Sequence, residues 1–281
     1  MPAASISQRR LEEVAVSDRQ LRPYAMLLGL ALDAGADSCW TAAAKPAADG
    51  ALARLRQGQA ALQGVTLSAP KDELERLYAR LRAALPSETG PDGGADWRAL
   101  RERPDLALLE QTINLGPAAS EGPLEAVLGL TLLPLLQAVA AGCAPLLQQA
   151  SWGAGCCPVC GAWPALAEAR GLERTRVLRC GRCGAGWSLP WQLCPFCAND
   201  RHDTLGYLYD EEHGESRRVF TCQRCHGFLK TLSTLAAIEP PLVPVEDLAT
   251  LTLDLAALDR GCQRPNQPGL DLGIELRWSG R

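Results

Sequence analysis

The chain has 281 residues, 47% of them hydrophobic and 21% charged, which is enough apolar material for more than one core and excludes disorder for its bulk. Its net charge is −4, and residues 151–240 carry ten Lys and Arg against nine Asp and Glu, so no electrostatic argument favours DNA or RNA as a partner. Aromatic residues are only 5%, leaving Leu, Ala and Val in packed helices as the main source of core.

The N-terminal residues carry no apolar run after Arg9 and Arg10, so the reading is that of a cytoplasmic chain without a secretory signal, whose thiols stay reduced. Residues 1–150 read as an all-α domain. Leu21, Tyr24, Leu27, Leu28 and Ala31 recur at helical spacing, Leu52, Leu55, Ala60 and Leu62 do so less regularly, and Leu74, Leu77, Leu81 and Leu85 repeat the rhythm. Asp72 and Glu73 sit where a helix starting after Ser68 would favour carboxylates, and Pro86 would end that helix. Composition predicts loops at 87–95 and between Gly116 and Gly122. The apolar run 126–147 is long enough to span a bilayer. Pro134 and Pro145 interrupt it and neither flank has a cluster of Lys or Arg, so we read a buried core helix, broken or kinked near Pro134, and no membrane insertion.

At Ser151 the composition turns to Cys, Gly, Trp and Arg. Short β-type stretches at Arg176–Arg179, Gly206–Tyr209 and Arg218–Thr221 alternate with cysteine turns up to about residue 240. Residues 245–260 return to helical spacing, with Leu248, Leu251, Leu255 and Leu258 expected on one face, and the last twenty residues read as loop. The fold class expected is α+β multidomain. A helical domain (1–150) precedes two tandem rubredoxin-like, or zinc-ribbon-like, β units (151–192 and 193–240), followed by a C-terminal helix and tail (241–281).

Nine of the twelve cysteines fall between 156 and 225, and eight of these form four Cys-x-x-Cys pairs: Cys157/Cys160, Cys180/Cys183, Cys194/Cys197 and Cys222/Cys225. A two-residue gap lets the backbone form a tight knuckle that aims both sulfurs at one ion. Four knuckles therefore imply two four-cysteine metal sites. A thiol redox pair is the lesser reading, since four pairs within about seventy residues do not suit a thioredoxin-like unit. Arg176-Val-Leu-x-Cys180-x-Arg182-Cys183 matches Arg218-Val-Phe-x-Cys222-x-Arg224-Cys225, and Pro follows the first Cys of the other two pairs, so one unit appears twice. The duplication favours sequential pairing: Cys157, Cys160, Cys180 and Cys183 in one site, Cys194, Cys197, Cys222 and Cys225 in the other. An interleaved cross-brace stays open. Four thiolates accept iron or zinc alike, and the spacing does not separate them.

Cys156 reads as a bystander, Cys39, Cys143 and Cys262 as small buried or partly buried residues, and His202, His213 and His226 as loop or surface residues. Arg182 and Arg224 either offset thiolate charge or are solvated. Tyr207 and Tyr209 read as packing residues. No Walker loop, dinucleotide fingerprint, Gly-x-Ser-x-Gly elbow or His-Glu-x-x-His occurs, so no catalytic group is expected and the chain is not read as an enzyme.

The segments Cys157-Pro-Val-Cys-Gly-Ala-Trp-Pro164, Arg179-Cys-Gly-Arg-Cys-Gly-Ala-Gly-Trp187, Cys194-Pro-Phe-Cys197 and Cys222-Gln-Arg-Cys-His-Gly-Phe-Leu-Lys-Thr231 together resemble the formate dehydrogenase accessory protein family (FdhE). That resemblance implies a cytoplasmic maturation factor that binds the catalytic subunit of formate dehydrogenase. It also implies two iron ions, each held by four of the eight named cysteines. Zinc-ribbon interaction modules with structural zinc are the alternative.

Overall fold

The computed structural model describes residues 5–85, 103–115, 123–210 and 214–279. The loops expected at 87–95 and around 116–122, and His213, lie outside the described residues.

The first part is helical. α1 (Ile6–Ser17) opens with a capping box, in which the Ser5 hydroxyl accepts from the Gln8 N–H and the Gln8 side chain accepts from the Ser5 N–H. α2 (Arg22–Ala34), α3 (Ser38–Asp49), α4 (Ala51–Arg56), α5 (Lys71–Ala83) and α6 (Leu106–Leu115) pack around α7 (Pro123–Leu147). The apolar stripes read from the sequence face inward: Leu27, Leu28 and Ala31 on α2, and Leu74, Leu77 and Leu81 on α5, are buried. α7 is long and apolar enough to cross a membrane, and 67% of its most apolar stretch is buried inside the fold. It is not broken at Pro134. Leu132, Leu133, Leu135 and Leu136 on either side are buried, and that burial outweighs the roughly 3 kcal/mol that an internal proline costs a helix.

The cysteine-bearing part forms one six-stranded sheet in the order β4-β3-β2-β7-β6-β5. Its strands are β2 (Leu166–Arg170), β3 (Thr175–Arg179), β4 (Gly186–Ser188), β5 (Leu205–Asp210), β6 (Gly214–Cys222) and β7 (Phe228–Thr234). Each expected unit supplies three antiparallel strands, and the two halves join where β2 runs parallel to β7 with Leu166 opposite Lys230. The centre of this seam carries Glu168, which is fully buried. Its carboxylate accepts from Arg179, Arg170, the Thr234 hydroxyl and the Ile238 N–H, so strands from both halves and the following loop converge on one side chain.

Three expectations need correction. A strand pair absent from the sequence reading, β1 (Thr66–Ala69) with β8 (Glu275–Trp278), runs parallel and ties the tail to the helical part. The tail is therefore not all loop, and the first part is not all helix. The helix read over 245–260 is two helices, α8 (Val243–Ala249) and α9 (Leu251–Leu258), divided at Thr250, whose hydroxyl donates back to the Glu246 carbonyl. Leu255 and Leu258 are about half exposed, while Leu253 and Ala257 face Val219 and Phe228. Asp254 lies on the same inward face and pairs with Lys230 of β7, a side chain only 1% exposed, so the buried face of α9 includes a charge and the leucine row lies toward solvent.

Candidate metal centres

Every knuckle is a tight backbone turn. The Gly161 N–H donates to the Cys157 carbonyl, Gly184 to Cys180 and Ala198 to Cys194 at 2.9–3.0 Å. In return the first cysteine of each pair donates its N–H to the residue that closes the turn: Cys157 to Ala162, Cys180 to Ala185, Cys194 to Asn199 and Cys222 to Gly227. The residue after the second cysteine has a positive φ in all four: Gly161 (64°), Gly184 (74°), Ala198 (53°) and His226 (57°). Glycine meets that requirement in the first two knuckles without strain, whereas Ala198 and His226 meet it against their Cβ atoms.

The eight sulfurs gather in two groups, Cys157, Cys160, Cys180 and Cys183, then Cys194, Cys197, Cys222 and Cys225, with all ligand atoms of a group within 4.8 Å of one another. The grouping is sequential and not cross-braced. Sγ–Sγ separations within the first group include 3.4 Å (Cys160–Cys180) and 3.6 Å (Cys157–Cys183), and within the second 3.7 Å (Cys194–Cys225) and 3.8 Å (Cys197–Cys222). Sulfurs about 2.3 Å from a tetrahedral ion stand about 3.8 Å apart, so the donor set fits such an ion. Each group can hold one.

In each group one thiol is held low and its neighbours are pushed up by burial. Hydrogen bonds from Cys157, Cys180 and Cys183 hold the Cys160 thiol well below its ordinary range, while burial pushes Cys157 and Cys183 up. Burial pushes Cys194 up, and Cys225 up to about 11. On Cys222 burial is outweighed by the N–H groups of Cys225 and Arg224, by Cys194 and by the Asn199 side chain, which bring it down to about 7. Asn199, buried behind the third knuckle, donates to the Cys222 sulfur at 3.5 Å and to the Thr204 hydroxyl at 2.7 Å. The sequence reading missed it, although its position two residues after Cys197 is the signal that would have found it.

The two groups differ in enclosure. All four sulfurs of the first are on buried residues, and its knuckle is bonded to the helical part, Ala61 N–H to the Pro158 carbonyl at 2.8 Å and Leu62 N–H to Val159 at 3.1 Å. Arg182, between Cys180 and Cys183, donates to the Thr112 and Ile113 carbonyls near the end of α6, both at 3.0 Å, an arrangement that suits the negative end of a helix. Cys197 and Cys225 in the second group are half-buried, and Arg224 is exposed. Gly155 lies directly against the Pro195 backbone, where a Cβ would come within 1.8 Å of the Pro195 carbonyl oxygen, and Trp163 meets Phe196 edge-on at 5.5 Å. Residues beside one group thus touch residues beside the other. A cleft of about 590 Å³ opens over this contact, lined by Trp163, Phe196, Arg182, Leu251 and Tyr24 among others.

Cys156 is buried outside both groups, burial pushing its thiol up to about 11. Cys143 is buried and Cys39 and Cys262 half-buried, also apart from the groups. His202 and His226 are exposed. Tyr207 packs against Phe220 at 5.8 Å, whereas Tyr209 is half exposed.

No family model and no curated protein matches the chain. Among solved structures, the crystal structure of the FdhE protein from Pseudomonas aeruginosa matches with a TM-score of 0.58 and 23% identity, covering 95% of this chain and 94% of that one. The chain thus has the fold of that FdhE protein along nearly its whole length.

Proposed function

We propose that the chain is a cytoplasmic, non-enzymatic accessory protein for the maturation of formate dehydrogenase, which binds the catalytic subunit and carries two four-cysteine iron sites. The observation that carries this reading is the sequential gathering of the eight cysteines into two four-sulfur groups within an FdhE-like fold. Iron bound by four thiolates supplies a one-electron couple, tuned by N–H bonds to sulfur and by burial. The chain's own contribution is to aim the sulfurs and shield them. The Val159 and Gly227 amides point at the Cys157 and Cys225 sulfurs at 3.4 Å, and Asn199 supports Cys222. In this reading the helical part and the cleft beside Trp163 and Phe196 receive the client.

Two measurements test it. Anaerobically purified protein should contain two iron atoms and show a thiolate absorption that bleaches on reduction; colourless protein with two zinc ions would replace the iron reading with a zinc-ribbon module. Affinity capture from the source organism should retain the catalytic subunit, and loss of the gene should abolish formate-dependent dye reduction. Intact dye reduction without the gene would remove the client assignment.

A further inference from the structure

The duplicated arginines Arg176 and Arg218 meet. Both guanidinium groups lie over Trp191, at 5.2 and 5.1 Å from the ring centroid, Arg176 also over Phe220 at 4.7 Å and Arg218 over Tyr207 at 4.3 Å. Arg176 is only 2% exposed. Its Nη1 donates to the Pro190 carbonyl at 3.1 Å and the Leu193 carbonyl at 2.9 Å, the latter being the residue before Cys194. Among the described residues its buried Nε and Nη2 have no hydrogen-bond partner and no carboxylate pairs with it. An enclosed cation beside a second cation needs an anion, and aromatic faces compensate it only in part. Burial pushes the guanidinium down to about 10, and the neighbouring Arg218 adds to that. A divalent ion in four thiolates carries a net charge of −2, and Arg176 stands directly behind the knuckle that would present this charge.

We infer that Arg176, which belongs to the first unit, is the counter-cation of the second four-cysteine centre. The inference rests on the reading of Cys194, Cys197, Cys222 and Cys225 as metal ligands. Each partner supplies what the other lacks: the filled centre gives the enclosed guanidinium its anion, and the guanidinium offsets the excess negative charge of the centre. Arg176 is a positioning residue that acts through charge and through its grip on the Leu193 carbonyl.

The test uses the full chain loaded with Co²⁺, whose thiolate absorption reports each centre, and withdraws the metal with a chelator. The phase belonging to the second centre is the one removed by Cys197→Ser. If wild-type protein shows no such phase, the ligand reading itself fails, independently of Arg176. Given that phase, Arg176→Gln should weaken metal binding at the second centre about ten- to a hundredfold and leave the first unchanged, and Arg176→Lys, which keeps the charge, should bind close to wild type. Equal weakening by Gln and Lys, or equal weakening of both centres, overturns the inference. Where Arg176→Gln does not fold, Arg176→Lys decides alone: a retained second centre supports the charge role and a lost one overturns it.

Discussion

Glu168 and Arg179 form an ion pair at 2.7 Å with side-chain exposures of 0% and 4%. The pair lies on adjacent strands, and Arg179 also donates to the Gly184 carbonyl just after the second knuckle. It therefore connects the seam of the sheet to the first four-cysteine group.

Glu168→Gln keeps the shape and removes the charge, leaving Arg179 enclosed without its anion. A loss of about 3–5 kcal/mol is expected, measured as a shift in the urea midpoint at neutral pH. Burial raises the Glu168 carboxyl, but Arg170, Arg179 and the Ile238 N–H outweigh it and hold it below its ordinary 4.5. A lowered folded value means that this contribution is complete above 4.5 and declines as the pH falls through the folded value. Wild type should lose stability over that acid range, and the Gln variant should lose less. Equal acid profiles would refute the assignment.

The difference in enclosure predicts unequal metal release. A chelator should empty the centre with half-buried Cys197 and Cys225 first and the fully buried one later, with helical circular dichroism retained after the first phase. Cys160→Ser should remove the slow phase and Cys197→Ser the fast one. A single phase with stoichiometry of two would contradict this.

Knuckle geometry predicts opposite outcomes for glycine exchange. At Gly184 an added Cβ would lie 2.7–2.9 Å from Pro240 atoms and would also sit at φ 74°. Gly184→Ala should destabilise the first centre by more than about 1 kcal/mol. Ala198→Gly relieves a positive φ of 53°, and thermal denaturation should show a change between zero and about +1 kcal/mol, because the gain is offset by extra freedom of the unfolded chain.

β8 contributes Leu276 to the main core, and its Leu276 N–H donates to Glu110 of α6 while Asn114 bonds both ways with Ile274. Truncation after Leu270 should therefore destabilise the helical part, seen as a lower thermal midpoint of the far-ultraviolet helix signal. An unchanged midpoint would show that the tail is dispensable.

The cysteine knuckles were legible because their geometry is local: two cysteines at fixed spacing and a small or left-handed residue after them specify a turn almost unaided. The helices around α7 were legible for the same reason, through the period of Leu27, Leu28 and Ala31 or of Leu74, Leu77 and Leu81. What stayed hidden depends on partners distant in sequence. Thr66–Ala69 and Glu275–Trp278 are four-residue strands whose pairing spans some two hundred residues. The inward face of α9 carries Asp254 against Lys230 beside Leu253 and Ala257, which no periodicity of leucines could report. Glu168 read as an ordinary charge in a short strand until Arg179, Arg170 and Thr234 were placed around it.

The seam where β2 pairs with β7 has a mechanical meaning. A hydrogen-bonded ladder five residues long offers no hinge, and with Gly155 lying against Pro195 the two halves have no room to swing. The distance from one four-sulfur group to the other is then a constant of the molecule, like the gauge of a railway track. Anything that engages both must match a spacing set when the chain folds.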